Sequence, residues 1–131
     1  MKMPGMETAT EERPIIVVDA SLDGGYFGIG MMVDDGRAGT PYDHGARAEE
    51  GKDATHYERE AVLYAIRHCR EAGITGAIIY NDNLLVILDI NEEGFDVRHM
   101  KNESANPAIW RMHNDAHEHA NKRRKRESWN Q

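Results

Sequence analysis

The sequence predicts an α/β domain in which helices cover a mixed sheet. Two continuous apolar runs, Ile15-Ile16-Val17-Val18 and Ala77-Ile78-Ile79-Tyr80, have the pattern of strands buried on both faces. Between them the period changes. Ala61, Val62, Ala65, Ile66, Cys69 and Ala72 form one helical stripe. Three strand-like segments precede that helix, and a strand, a short apolar segment, a further strand and a last helix follow it.

The first strand is Ile15 to Val18, ending at Asp19. Asp23-Gly24-Gly25 signals a turn, and Tyr26 to Val33 reads as the second strand, with Gly28 and Gly30 where another backbone can approach closely. Asp34-Asp35-Gly36 turns again, and a weaker third strand falls near Asp43 to Glu49, completing an antiparallel meander. Thr55 is the expected cap of the first helix and Gly73 its stop. Ala77 to Tyr80 is the fourth strand, leading into Asn81-Asp82. Leu84 to Ile90 is either a short helix or an extension of that strand, because period alone does not separate them. Phe95 to Met100 is the fifth strand. Asn106-Pro107 supplies a cap and a first-turn proline for a last helix through Ile109, Met112, Ala116 and Ala120.

With 131 residues, one domain is expected, without internal repeats or a linker. It divides into a flexible start, 1–14, a folded body, 15–121, and a basic tail, 122–131. No apolar run is long enough to span a membrane, and Met1 to Pro14 lacks the apolar segment of a secretory signal. A single cysteine, Cys69, leaves no internal disulfide, which fits a reducing, cytoplasmic setting. The net charge of −7 opposes strong non-specific binding to nucleic acid. The charge is uneven: taking the five cations Lys122 to Arg126 from −7 leaves −12 for the remainder. That basic run reads equally as a dipole-stabilised helix end and as a phosphate contact. Nothing in the sequence separates monomer from dimer.

Asp19 and Asp82 each follow an apolar strand, where a sheet presents ligands. Either alone reads as a turn residue. On neighbouring strands they would crowd together and raise each other's pKa unless a cation neutralised them, as Mg²⁺ does. A third ligand is expected from the first helix. Glu58 shares a face with Ala61, Val62, Ala65 and Cys69, the stripe that packs on the sheet, whereas Glu60 shares its face with Leu63, Tyr64 and Arg67. Glu58 is therefore the inward-facing candidate.

These residues resemble the ribonuclease H superfamily, in particular the short type 1 enzymes. Val17-Val18-Asp19-Ala20-Ser21 is similar to that family's first strand, and Gly28-Ile29-Gly30 to its second. Glu58-Arg59-Glu60-Ala61-Val62 resembles the start of its first helix. Gly73-Ile74 with Ile79-Tyr80-Asn81-Asp82-Asn83-Leu84-Leu85-Val86 resembles its fourth-strand segment. The similarity runs from about Ile15 to Asn121. It implies a three-layer fold with a mixed five-stranded sheet in the order 3-2-1-4-5. It also implies a metal-binding triad of Asp19, Glu58 and Asp82, with two Mg²⁺ or Mn²⁺ ions per site, and RNA/DNA hybrid as partner. Ser21, Thr55, His56 and Asn83 become candidate substrate contacts.

Three departures stand out. His117 takes the place of the family's fourth acidic ligand, with Asp115 and Glu118 as nearby alternatives; Glu103 takes the place of a loop histidine; and only 12 residues separate Asp82 from Phe95, leaving no room for the basic handle of some members. The run Lys122 to Arg126 is the expected substitute. His113 and His117 have the i, i+4 spacing of helix-borne metal ligands, but Asn114 stands where a zinc protease carries glutamate, so a polar helix face is the simpler account. The resemblance thus implies an endonuclease that hydrolyses the RNA strand of hybrids by a two-metal mechanism, with His117 completing a site or assisting product release. The altered fourth position and acidic surface leave two alternatives open: a non-catalytic nucleic-acid-binding module on the same fold, and a nuclease for another RNA or DNA.

Overall fold

The computed structural model describes residues 13–34, 39–90, 94–103 and 106–129. The expectation of a flexible start falls on residues 1–12 outside that range. Arg13 and Pro14, however, are fastened: the Arg13 guanidinium donates to the Gly76 carbonyl (2.7 Å) and pairs with Asp96 (3.0 Å), and the Pro14 carbonyl accepts from the Ile78 amide (2.9 Å).

Five strands form one sheet: β1 (Ile15–Asp23), β2 (Tyr26–Asp34), β3 (Thr40–Arg47), β4 (Ile78–Asn81) and β5 (Asp96–His99), in the order β3-β2-β1-β4-β5. The pairs β1–β2 and β2–β3 are antiparallel, and β1–β4 and β4–β5 parallel, as expected of a meander followed by crossovers. Gly24 and Gly25 both have positive φ, 60° and 83°, as the two-residue hairpin turn between β1 and β2 requires. The apolar run ends at Asp19, but β1 does not. Antiparallel pairing with β2 carries it on to Asp23, while β4 pairs only as far as Val17. Asp19 therefore sits mid-strand, just beyond the point where β4 parts from β1.

Period-two alternation splits the core into two layers. Ile16, Val18, Ile79 and Met31 pack against α1 (Ala54–Ala72), through Ala61, Val62, Ala65, Ile66 and Cys69, and against Val86 of α2 (Leu84–Asp89). Val17, Met32, Ile78 and Tyr80 face the other way, onto Ile109 and Ala116 of α3 (Pro107–Trp129). The cap of α1 is Asp53, not Thr55: the Asp53 carboxylate accepts from the His56 amide (3.0 Å), and Gly73 ends the helix at φ 71°. The ambiguous segment after Asp82 is helical because the Asn83 side chain caps it, accepting from the Val86 amide (3.1 Å). Met100 begins a 3-10 turn, Met100–Glu103, instead of ending β5. Among the described residues no helix is long and apolar enough to cross a membrane.

Two glycines place α3. A Cβ built on Gly28 would overlap the Ala120 carbonyl oxygen, and one on Gly30 that of Ala116. Gly30 pairs with Asp19 and Gly28 with Ser21 across the β1–β2 ladder. The absent side chains let α3 lie directly on β2, with its polar face alongside Asp19 and Ser21. The helix continues unbroken to Trp129, so the basic run is its last turns and not a separate tail.

Candidate metal centre

The structure brings Asp19, Glu58 and Asp82 together. Each offers a carboxylate oxygen, and the three oxygens lie within 4.8 Å of one another. Each arrives from a different element: Asp19 from mid-β1 where β4 diverges, Asp82 from the residue after β4, and Glu58 from the second turn of α1. Glu60, on the other face of the helix, is not in this group.

Asn81, fully buried, holds the three elements in register. Its Nδ2 donates to the Val18 carbonyl (3.0 Å) and to Glu58 Oε1 (3.2 Å), while its Oδ1 accepts from the Asn83 amide (2.9 Å). Sequence reasoning passed over this residue. The signal was available: a lone amide between a buried strand and an aspartate must find partners for its polar atoms.

The carboxylates are electrostatically strained. Asp19 is 3% exposed, and burial, followed by the Asp82 charge, pushes its pKa up to about 7. Burial, followed by the Asp19 charge, pushes Glu58 up to about 8. The two are hydrogen-bonded, Glu58 holding the proton and Asp19 accepting it. Asp19 and Glu58 keep protons past their usual acidity because burial and the neighbouring carboxylate charges disfavour ionisation and no positive charge among them balances it.

α3 adds two histidines. His117 Nδ1 lies 2.6 Å from Asp19 Oδ2, and its Nε2 lies 3.1 Å from the Asn121 side-chain amide. The imidazole is thus a partner of one carboxylate and lies outside the three-oxygen group. The alternatives Asp115 and Glu118 are exposed on other faces of the helix. His113, one turn earlier, places Nε2 3.7 Å from Asp82 Oδ2, and its Nδ1 is buried without a hydrogen-bond partner among the described residues. Burial outweighs the Asp82 charge and lowers the His113 pKa. Its ring stacks on His117 (6.4 Å) and meets Trp110 edge-on (5.6 Å). The i, i+4 pair therefore addresses two different aspartates.

The candidate substrate contacts scatter around this centre. Ser21 Oγ donates to Asn121 Oδ1 (2.6 Å) and accepts from Arg124 Nε (2.7 Å). Thr55 and the His56 ring lie half-buried in the first turn of α1, and Asn83 caps α2. The basic run is largely consumed by internal partners. Arg123 pairs with Asp43 (2.6 Å) and Glu127 (3.2 Å), Arg126 with Asp43 (3.3 Å), Arg124 with Asp23 (3.7 Å) and Lys122 with Glu118 (3.3 Å).

Sheet order, layering and connectivity define a ribonuclease H-like fold of the short type 1 form. Solved structures match it along most of their length. LC11-RNase H1 in complex with RNA/DNA hybrid is 16% identical with a TM-score of 0.60, covering 87% of this chain and 98% of its own. RNase H1 from the halophilic archaeon Halobacterium salinarum is 13% identical with a TM-score of 0.58, covering 85% and 96%. The N-terminal RNase H domain of a Mycobacterium tuberculosis protein is 13% identical with a TM-score of 0.61, covering 90% and 97%. No protein-family model matches the chain, and no curated protein matches it by sequence.

Proposed function

We propose that this chain is a divalent-metal-dependent endonuclease that hydrolyses the RNA strand of RNA/DNA hybrids. The observation that carries the reading is the convergence of Asp19, Glu58 and Asp82 on one spot of a ribonuclease H-like fold. The residues fit a divalent cation. Their ligand atoms are all hard oxygens, and burial and mutual repulsion raise the pKa of Asp19 and Glu58, a cost of ionisation that positive charge between them would relieve. Mg²⁺ or Mn²⁺, two ions per site, would supply activated water and stabilise charge on the leaving oxygen.

The chain's own groups do the rest. Asp19, Glu58 and Asp82 would hold the ions. Asn81 fixes the Glu58 carboxylate from behind, and His117 orients Asp19 through Nδ1. His117 is exposed at the mouth of the site, where an imidazole completes the site or assists product release. Ser21, Thr55, His56 and Asn83 are the candidate contacts to the backbone on this reading, and hybrid recognition would rest on A-like shape and the 2′-hydroxyl, not on base sequence. The hybrid bound to LC11-RNase H1 supports this partner.

The test is cleavage of an end-labelled hybrid with Mg²⁺ or Mn²⁺. The parent should cut the RNA strand and Asp82→Asn should not. Equal cutting by that variant removes the mechanism, and binding without cutting by the parent makes the chain a non-catalytic module.

A further inference from the structure

An open groove of about 530 Å³ is lined by Asp82 of the carboxylate group. Leu84 and Leu85 of α2, Met100, Lys101 and Trp110 also line it. Its volume lies within the roughly 300–1,000 Å³ of small-ligand pockets. The leucines are not there for the core: Leu84 is 51% exposed and Leu85 69%. The lining thus combines a candidate metal ligand, apolar and aromatic side chains, and a cation. Those are the elements that hold a nucleotide, with apolar and aromatic surfaces for the base and a cation for phosphate.

We propose that this groove receives an unpaired nucleotide of the nucleic-acid substrate, its base against Leu84, Leu85 and Trp110 and its phosphate toward Lys101. The proposal rests on the nuclease reading above for the class of ligand and extends it to substrate choice. A base inside a duplex has its faces covered by stacking and its edge by its partner. Only a base that has left the stack can fill an apolar slot. Because Asp82 belongs to both the carboxylate group and the groove wall, the nucleotide that enters is a near neighbour of the scissile phosphate. The preferred substrate is then a hybrid with a single-stranded RNA overhang or an unpaired base next to the cut, not a fully paired one.

The experiment reads Trp110 directly. The chain has two tryptophans, and Trp129 lies 76% exposed at the end of α3, so Trp129→Phe leaves Trp110 as the sole tryptophan, read by excitation at its red edge where tyrosine does not absorb. With Ca²⁺ as the divalent ion, a hybrid with an RNA overhang should quench Trp110 and bind about 5- to 150-fold more tightly than a blunt hybrid, the range of one stacked base. Leu85→Asp, a change at an exposed position, should bring overhang affinity down to the blunt level, as should Trp110→Leu if that variant folds. Equal affinity for the two hybrids overturns the proposal, as does an advantage that survives Leu85→Asp. Trp110 fluorescence that changes with protein concentration alone also overturns it, since a second copy would then cover the groove. Failure of the nuclease reading is separate: it would show as absent cleavage with Mg²⁺ while the Ca²⁺ preference stands.

Discussion

Stripping divalent metal should make the fold lose stability as pH rises above neutrality, the reverse of ordinary carboxylate behaviour. Asp19 and Glu58 have folded pKa values raised above their ordinary 3.8 and 4.5. The folded state holds those protons more tightly, so the stability they contribute is fully present below about pH 4 and is lost as pH rises through the folded values of about 7 and 8. His113 works in the opposite sense. Its folded pKa lies below 6.5, so its contribution is present above that pH and lost in acid. Above pH 6.5 the carboxyl pair acts first, and the buried Cys69 thiol and Tyr64 phenol, both raised, add loss in the same direction only toward the alkaline end. There Glu58 still has about 1.5 pH units to run to its folded value, about 2 kcal/mol at 1.36 kcal/mol per unit. For a chain of this length that is a fall in Tm of roughly 6–10 °C. Thermal melts in EDTA at constant ionic strength, from pH 6.5 to 9, measure it. Mg²⁺ competes with those protons, so it should raise Tm more at pH 9 than at pH 6.5. Glu58→Gln, which removes one charge without changing shape, should melt above the parent at pH 9 in EDTA. A metal-free Tm that is flat or climbs over this range, with a Mg²⁺ effect independent of pH, would refute the electrostatic account.

Gly30→Ala should cost about 1–3 kcal/mol in chemical denaturation, because its methyl overlaps the Ala116 carbonyl and α3 must lift from β2. The same variant should weaken the His117–Asp19 contact, visible as a changed imidazole resonance in NMR. Asn81→Leu should cost about 1–3 kcal/mol by stranding the Val18 carbonyl and the Glu58 carboxylate, and it should lower Mg²⁺ affinity measured by calorimetry. Arg123→Ala should change stability by up to about 1 kcal/mol and leave the salt slope of hybrid binding intact, since its charge is spent on Asp43 and Glu127. A slope reduced by about one would return that cation to the phosphate-binding surface.

The parts of the centre legible in the sequence are those fixed by local period. Asp19 and Asp82 follow apolar runs long enough to declare buried strands, and the stripe of α1 decides between Glu58 and Glu60 without any tertiary information. The hairpin glycines and the cap at Asn106 are legible for the same reason, although Asp53 displaces Thr55 because its carboxylate reaches the His56 amide from one turn back. What stayed hidden depends on where one element lies on another. The continuation of β1 past Asp19 is set by its pairing with β2, and no residue between Asp19 and Asp23 announces it. The task of His113 depends on the depth to which α3 settles on Gly28 and Gly30, since only that placement turns its face toward Asp82.

The basic run shows the same limit from the other side. Five consecutive cations span more than one helical turn, so they point around the whole circumference of α3 and cannot all face one ligand. Once α3 lies on the sheet, one side of that circumference meets Asp43, Asp23 and Ser21, and Arg123, Arg124 and Arg126 are drawn to them. A charge run on a packed helix is first a means of fastening the helix. On the nuclease reading, attraction for nucleic acid would then come from ions at the carboxylate centre and from cations outside this run, such as Lys101, which lines the same groove as Asp82.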